Sequence, residues 1–111
     1  ILTKNEEKNI KRVIDSVRDL ADEILVIDSG STDRTVEIAV SLGANVQYNR
    51  WVNCATQRNF GTSLVSNDWI LMLDADEEVS RELAKSIKQM LENPTHLAYE
   101  ITRRTYYLGK F

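Results

Sequence analysis

A chain of 111 residues with 42% hydrophobic content is one domain's worth, large enough to bury a single core. Its net charge of -3 excludes bulk attraction to nucleic acid or to an anionic membrane, and one proline with four glycines leaves no low-complexity linker. The single cysteine, Cys54, excludes an internal disulfide, and no apolar stretch approaches the roughly 20 residues that span a bilayer.

In chain order, strands alternate with helices. Ile1-Leu2-Thr3 predicts the tail of a first strand. Asn5 predicts a cap for the helix after it, with Glu6 and Glu7 in the first turn. Ile10, Val13, Ile14, Val17 and Leu20 then recur at helical spacing as one apolar stripe. Residues 23–27 predict a strand apolar on both faces, which points to a parallel sheet covered on both sides. The turn Asp28-Ser29-Gly30-Ser31-Thr32-Asp33 leads to a helix over about 34–42, ended at Gly43. Residues 45–48 predict a short strand, and 55–65 a helix of modest regularity interrupted by Gly61. After a turn at Ser66-Asn67, the run Trp69-Ile70-Leu71-Met72-Leu73 predicts a buried strand. Ser80 caps a last helix carrying Leu83, Ile87, Met90 and Leu91, stopped by Asn93-Pro94. Residues 98–105 predict a further strand. The order β-α-β-α-β-α-β-α-β predicts one doubly wound α/β domain over 1–111. The start at Ile1, inside a strand, and the end at Phe111, after an aromatic-basic stretch, suggest a fragment of a longer protein.

Three polar segments each follow a predicted strand: Thr3 to Glu7, Asp28 to Asp33, and Asp74 to Glu78. In a parallel sheet the carboxyl ends lie along one edge, so the three would line a common crevice. Residues i and i+2 of an extended segment share a face, which lets Asp74 and Asp76 converge. With Glu77 and Glu78 behind them, four acids fall within five residues, a cluster that calls for a cation or a basic group. The spaced ligands and central glycine of a calcium EF-hand are absent, whereas Mg2+ or Mn2+ suits one or two carboxylates plus substrate phosphate. The bland alternative is a solvated acidic turn before the Ser80 helix.

Asp28 ends an apolar strand and can accept hydrogen bonds from a ligand's ring N–H or hydroxyls, a task separate from capping the next helix. Ser31, Thr32 and Asp33 are equally well explained as a helix cap. Neither phosphate-cradling glycine motif, G-x-x-x-x-G-K-[ST] or G-x-G-x-x-G, is present. Arg58 offers a bidentate fork to a diphosphate, with an exposed helix arginine as the alternative. Cys54, Trp51 and Trp69 are expected to pack, and His96, the only histidine, to lie on the surface.

Taken together and in order, Ile1-Leu2-Thr3-Lys4-Asn5-Glu6-Glu7, Val26 to Thr35, Gln57-Arg58-Asn59-Phe60-Gly61 and Leu73-Asp74-Ala75-Asp76-Glu77 resemble glycosyltransferase family 2. The tail Arg103-Arg104-Thr105-Tyr106-Tyr107-Leu108-Gly109-Lys110 is similar to bacterial members of the lipopolysaccharide-core glucosyltransferase type. The resemblance implies the GT-A fold, a Rossmann-like nucleotide-sugar-binding α/β fold with a mostly parallel sheet flanked by helices, here truncated. It implies an inverting, metal-dependent enzyme that moves a sugar from a nucleoside diphosphate donor, a uridine diphosphate sugar first, to a saccharide or lipid-linked acceptor of the bacterial envelope. By the same resemblance Thr3 and Glu6, with Glu7 behind them, lie beside the nucleoside and Asp28 binds the base. Arg58 approaches the nucleotide or diphosphate, Asp74 contacts the ribose or the metal's water shell, and Asp76 ligates Mg2+ or Mn2+. The general base is expected beyond Phe111 and is not assigned to Glu77, Glu78 or Glu100. The donor type places the activity in the cytoplasm, with attachment of the longer protein to the inner face of the membrane left open. A nucleotidyltransferase and a non-catalytic nucleotide-sugar-binding domain are the alternatives.

Overall fold

A computed structural model describes residues 1–110. Its centre is β2 (Leu25–Asp28), buried along its whole length. Parallel neighbours flank it: β1 (Leu2–Thr3), with Leu2 opposite Ile27, and β3 (Asn45–Tyr48), with Asn45 opposite Leu25. A strand paired on both sides and covered on both faces must be apolar throughout, which is why Leu25-Val26-Ile27 shows no polar alternation. Successive side chains point to opposite faces. Val26 joins the core of α1 (Ile10–Val17) and α2 (Thr35–Ser41), whereas Ile27 meets α3 (Cys54–Leu64). The contact with α3 explains Gly61, which the helix runs through unbroken. A Cβ there would stand 3.3 Å from Ile27 Cγ1, so glycine lets the helix lie close against the sheet.

α1 buries the predicted stripe Ile10, Val13, Ile14 and Val17. At about 1.5–3 kcal/mol for each fully buried aliphatic side chain, that stripe is its main anchor. The helix starts later than predicted. Asn5 takes φ 53, a left-handed conformation that cannot open a helix, and residues 6–9 form a separate turn closed by Ile10 N–H on the Glu6 carbonyl at 2.8 Å. Asn5 is therefore not the cap. Side-chain caps do open the two later helices: Asn53 accepts from Thr56 N–H at 2.8 Å before α3, and Ser80 from Leu83 N–H at 3.1 Å before α4 (Arg81–Glu92).

Two predicted strands do not form. The chain after residues 69–73 reaches the sheet at one parallel bridge, between Asp74 and Leu2, where Leu2 N–H donates to the Leu73 carbonyl and Ala75 N–H to the Leu2 carbonyl, both at 3.0 Å. β1 is two residues long, so residues 69–72 have no neighbouring backbone to pair with, and Ile70 and Met72 are 40% and 48% exposed. An apolar run signals burial, but a ladder also needs a partner. Residues 98–105 lie exposed, and beyond residue 97 the pairing among the described residues is a single bridge between Tyr107 and Lys110.

In space the order is β3, β2, β1 and then the Leu73–Ala75 segment. The chain builds outward from β1 to β3 and returns to the opposite edge of β1. That reversal is a topological switch point, and the crevice outside the strands' carboxyl ends is where such sheets take ligands.

Candidate active site

A cleft of about 510 Å3 opens at this crevice. Thr3, Lys4, Glu6, Ser29, Asp74 and Asp76 line its strand-end side, and Trp51, Cys54 and Gln57 line the side nearer α3. Four of the predicted site residues therefore meet in one place: Thr3, Glu6, Asp74 and Asp76. Arg58 reaches the cleft through Asp74, its Nη2 standing 3.8 Å from Oδ1. Asp28 and Glu7 lie outside the lining.

The acidic turn is largely neutralised by arginines from three different parts of the chain. Arg58 of α3 pairs with Asp74, and Arg103 Nε stands 2.9 Å from Glu77 Oε1. Arg12 of α1 lies 3.6 Å from Glu78 and donates to the Asp76 carbonyl at 3.4 Å. The other oxygen of Glu77 accepts the Asp74 backbone N–H at 2.8 Å, while Glu77 N–H returns to the Asp74 carbonyl at 3.0 Å. Those paired bonds fix the turn. Among the described residues, Asp76 is the acid of this turn whose carboxylate has no partner, and it is exposed to the cleft. A second polar atom in the same lining is also unpaired: Thr3 Oγ1 is buried without a hydrogen-bond partner. Such an orphan costs about 1–3 kcal/mol unless a ligand satisfies it.

Asp28 has a structural task that the sequence did not disclose. It is 4% exposed; Oδ2 accepts from Gly30 and Ser31 N–H, both at 2.9 Å, and Oδ1 accepts the Ser31 hydroxyl at 2.5 Å. A carboxylate offers about four lone-pair sites, so roughly one remains for a ligand. Ser31 Oγ in turn accepts Asn5 N–H at 2.8 Å, and Asn5 Oδ1 accepts Thr32 N–H at 2.8 Å. Thr35 Oγ1 takes Glu6 N–H at 2.8 Å, and Glu7 and Asp33 exchange bonds with the backbone of Arg34 and Glu7. The Thr35 hydroxyl is foremost in holding the Asp33 carboxyl below its ordinary range. The polar residues of the two loops thus join them to each other, and Asp33 Oδ1 also accepts the N–H of Thr35, the first residue of α2, at 3.0 Å, while Arg34 adds no side-chain cap. Glu6 is likewise engaged, accepting from Asn9 Nδ2 at 2.7 Å.

Other residues of the cleft escaped the sequence reading. Lys4 adds a cation, and its position directly after the end of β1 was the available signal. Trp51 is 48% exposed at the cleft, and Cys54 is exposed on the first turn of α3, so neither is the packing residue expected. Trp69 is likewise exposed, at 40%, with its ring 5.8 Å from that of Tyr99, and His96 is exposed as expected. Gln57 is buried and braces the wall, accepting from Asn49 Nδ2 at 2.8 Å and donating to the Asn49 carbonyl at 3.0 Å.

The profile of glycosyl transferase family 2 matches residues 1–109. The chain belongs to glycosyltransferase family 2. An uncharacterized glycosyltransferase of Rickettsia bellii is 47% identical over 91% of the chain and 35% of its own length. The lipopolysaccharide core biosynthesis glycosyltransferase LpsC of Rhizobium meliloti is 30% identical over 98% of the chain and 42% of its own length. The crystal structure of S. aureus TarS 1-349 superposes with a TM-score of 0.64 at 22% identity, over 82% of the chain and 30% of that protein, and supports the expected GT-A fold. The chain therefore spans between 30% and 42% of the length of these relatives. Family 2 members generally use a divalent metal. Among the described residues no group of three or more His, Cys, Asp or Glu gathers to hold one. One open carboxylate, Asp76, with Asp74 beside it, fits an ion of the Mg2+ or Mn2+ kind, which takes one or two carboxylates and fills its shell with water and substrate phosphate. No helix of the described residues is long and apolar enough to cross a membrane.

Proposed function

We propose that this chain is the donor-binding part of an inverting glycosyltransferase. The donor is a nucleoside diphosphate sugar, a uridine diphosphate sugar first, and the acceptor a saccharide or lipid-linked saccharide of the bacterial envelope. The observation that carries the reading is the pairing of Asp76, an open carboxylate, with the orphaned Thr3 hydroxyl in one cleft at the switch point of the sheet. The relative named for lipopolysaccharide core biosynthesis supports the envelope assignment.

Each residue has a task that its position allows. Thr3 Oγ1 satisfies its hydrogen bonding on the nucleoside, and Asp28, behind the lining residue Ser29, offers its remaining lone pair to a base N–H that reaches past the lining. Asp76 holds the metal, with Asp74 kept beside it by Arg58 and by the Glu77 bond to its backbone. When bound, Mg2+ or Mn2+ offsets the charge that collects on the diphosphate as it leaves the sugar. Lys4 adds positive charge at the same mouth. Glu77 and Glu78 are engaged by Arg103 and Arg12, so neither is assigned as the base that deprotonates the acceptor. Calorimetric titration with uridine diphosphate, with and without Mn2+, tests the reading. Binding that strengthens with Mn2+ is expected; an absence of binding, or binding indifferent to the ion, overturns it.

A further inference from the structure

Four acids crowd the turn, yet the structure provides a cation for three of them. Arg58 faces Asp74, Arg103 faces Glu77 and Arg12 faces Glu78, each from a different part of the chain. Four negative and three positive charges leave a net of one, carried by Asp76. A turn without the arginines would present four carboxylates to a divalent ion. Four uncompensated charges would draw the ion to Asp76 by electrostatics alone, without the phosphates of a nucleotide. We infer that Arg103 and Arg12 are positioning residues that keep the acidic turn from holding a divalent metal by itself, so that metal and nucleoside diphosphate bind together. The inference rests on the functional reading above and concerns how the same site is regulated.

Geometry supports a function for the pairs beyond surface charge. Glu77 uses one oxygen on Arg103 and the other on the Asp74 N–H, so Arg103 also fixes the carboxylate that sets the Asp74 backbone. Arg12 touches both the Glu78 carboxylate and the Asp76 carbonyl, gripping the far half of the turn. Releasing either acid returns a full negative charge within a few residues of Asp76. At surface dielectric and physiological salt, one such charge changes the affinity for a divalent ion by roughly 3- to 10-fold.

The test is a Mn2+ titration followed by electron paramagnetic resonance, on the chain alone and with uridine diphosphate. The variants are Arg103→Gln and Arg12→Gln, both at exposed positions, with Arg34→Gln just before α2 as a control that removes the same charge beside Glu37. Wild type is expected to bind Mn2+ weakly alone and more tightly with the nucleotide. Arg103→Gln and Arg12→Gln should bind Mn2+ alone about 3- to 10-fold more tightly, with a smaller gain from nucleotide, while Arg34→Gln matches wild type. Variants no tighter for Mn2+ alone than the control overturn the inference, as does a wild type that holds Mn2+ equally well without nucleotide. The titrations with Mn2+ alone judge the arginines directly. A wild type whose nucleotide binding ignores Mn2+ instead overturns the functional reading, so the two failures are distinct.

Discussion

Replacing Asp28 separates its structural task from its proposed contact with the base. Asp28→Ala removes three hydrogen bonds and leaves the Gly30 and Ser31 N–H groups without their acceptor. Each donor stranded in a partly buried turn costs about 1–3 kcal/mol, so the expected loss is about 2–6 kcal/mol. Asp28→Asn keeps a side-chain oxygen for the two N–H groups, and the Ser31 hydroxyl can rotate to accept from the new amide. That variant loses charge assistance and should cost about 1–2 kcal/mol. Urea unfolding followed by circular dichroism measures both. The mechanism requires that Ala be clearly the more damaging, by about 1 kcal/mol or more. Equal stability of the two variants, or Ala within about 0.5 kcal/mol of wild type, would refute the claim that this carboxylate holds the turn.

Two further substitutions test neighbouring parts of the account. Asn5 sits at φ 53 and accepts Thr32 N–H, so Asn5→Gly, which keeps the backbone relaxed, should cost less than Asn5→Ala by roughly 1 kcal/mol in the same unfolding assay. Thr3→Val removes an orphaned buried hydroxyl at nearly constant volume, so it should leave stability unchanged or raise it by up to ~1 kcal/mol while weakening nucleotide binding several-fold. Calorimetry and thermal melting on one sample distinguish these effects, and a Val variant that binds nucleotide as wild type does would remove Thr3 from the site.

Much of this fold was legible because its signals are local. The stripe from Ile10 to Val17, the apolar run of β2 and the cap at Ser80 each depend on residues a few positions apart. The overlooked features depend on partners distant in sequence. Trp69 to Leu73 has the composition of a buried strand, but its pairing is set by how far β1 extends. Asn5 looks like a helix cap until its bonds to Ser31 and Thr32 are known. The acidic turn was visible as a cluster, and its cation requirement followed from charge alone. That Arg12, Arg58 and Arg103 meet three of the four acids could not be read from their spacing, because they come from separate parts of the chain. The same pairing is what singles out Asp76.

Asp76 is therefore the residue on which the account is most exposed. Uridine diphosphate affinity should be measured for wild type and Asp76→Ala, each with and without Mn2+. Wild type is predicted to bind at least about tenfold more tightly with Mn2+, and Asp76→Ala to lose that gain while keeping its fold. Binding that disregards both the ion and the substitution would contradict a metal-assisted nucleotide site in this cleft.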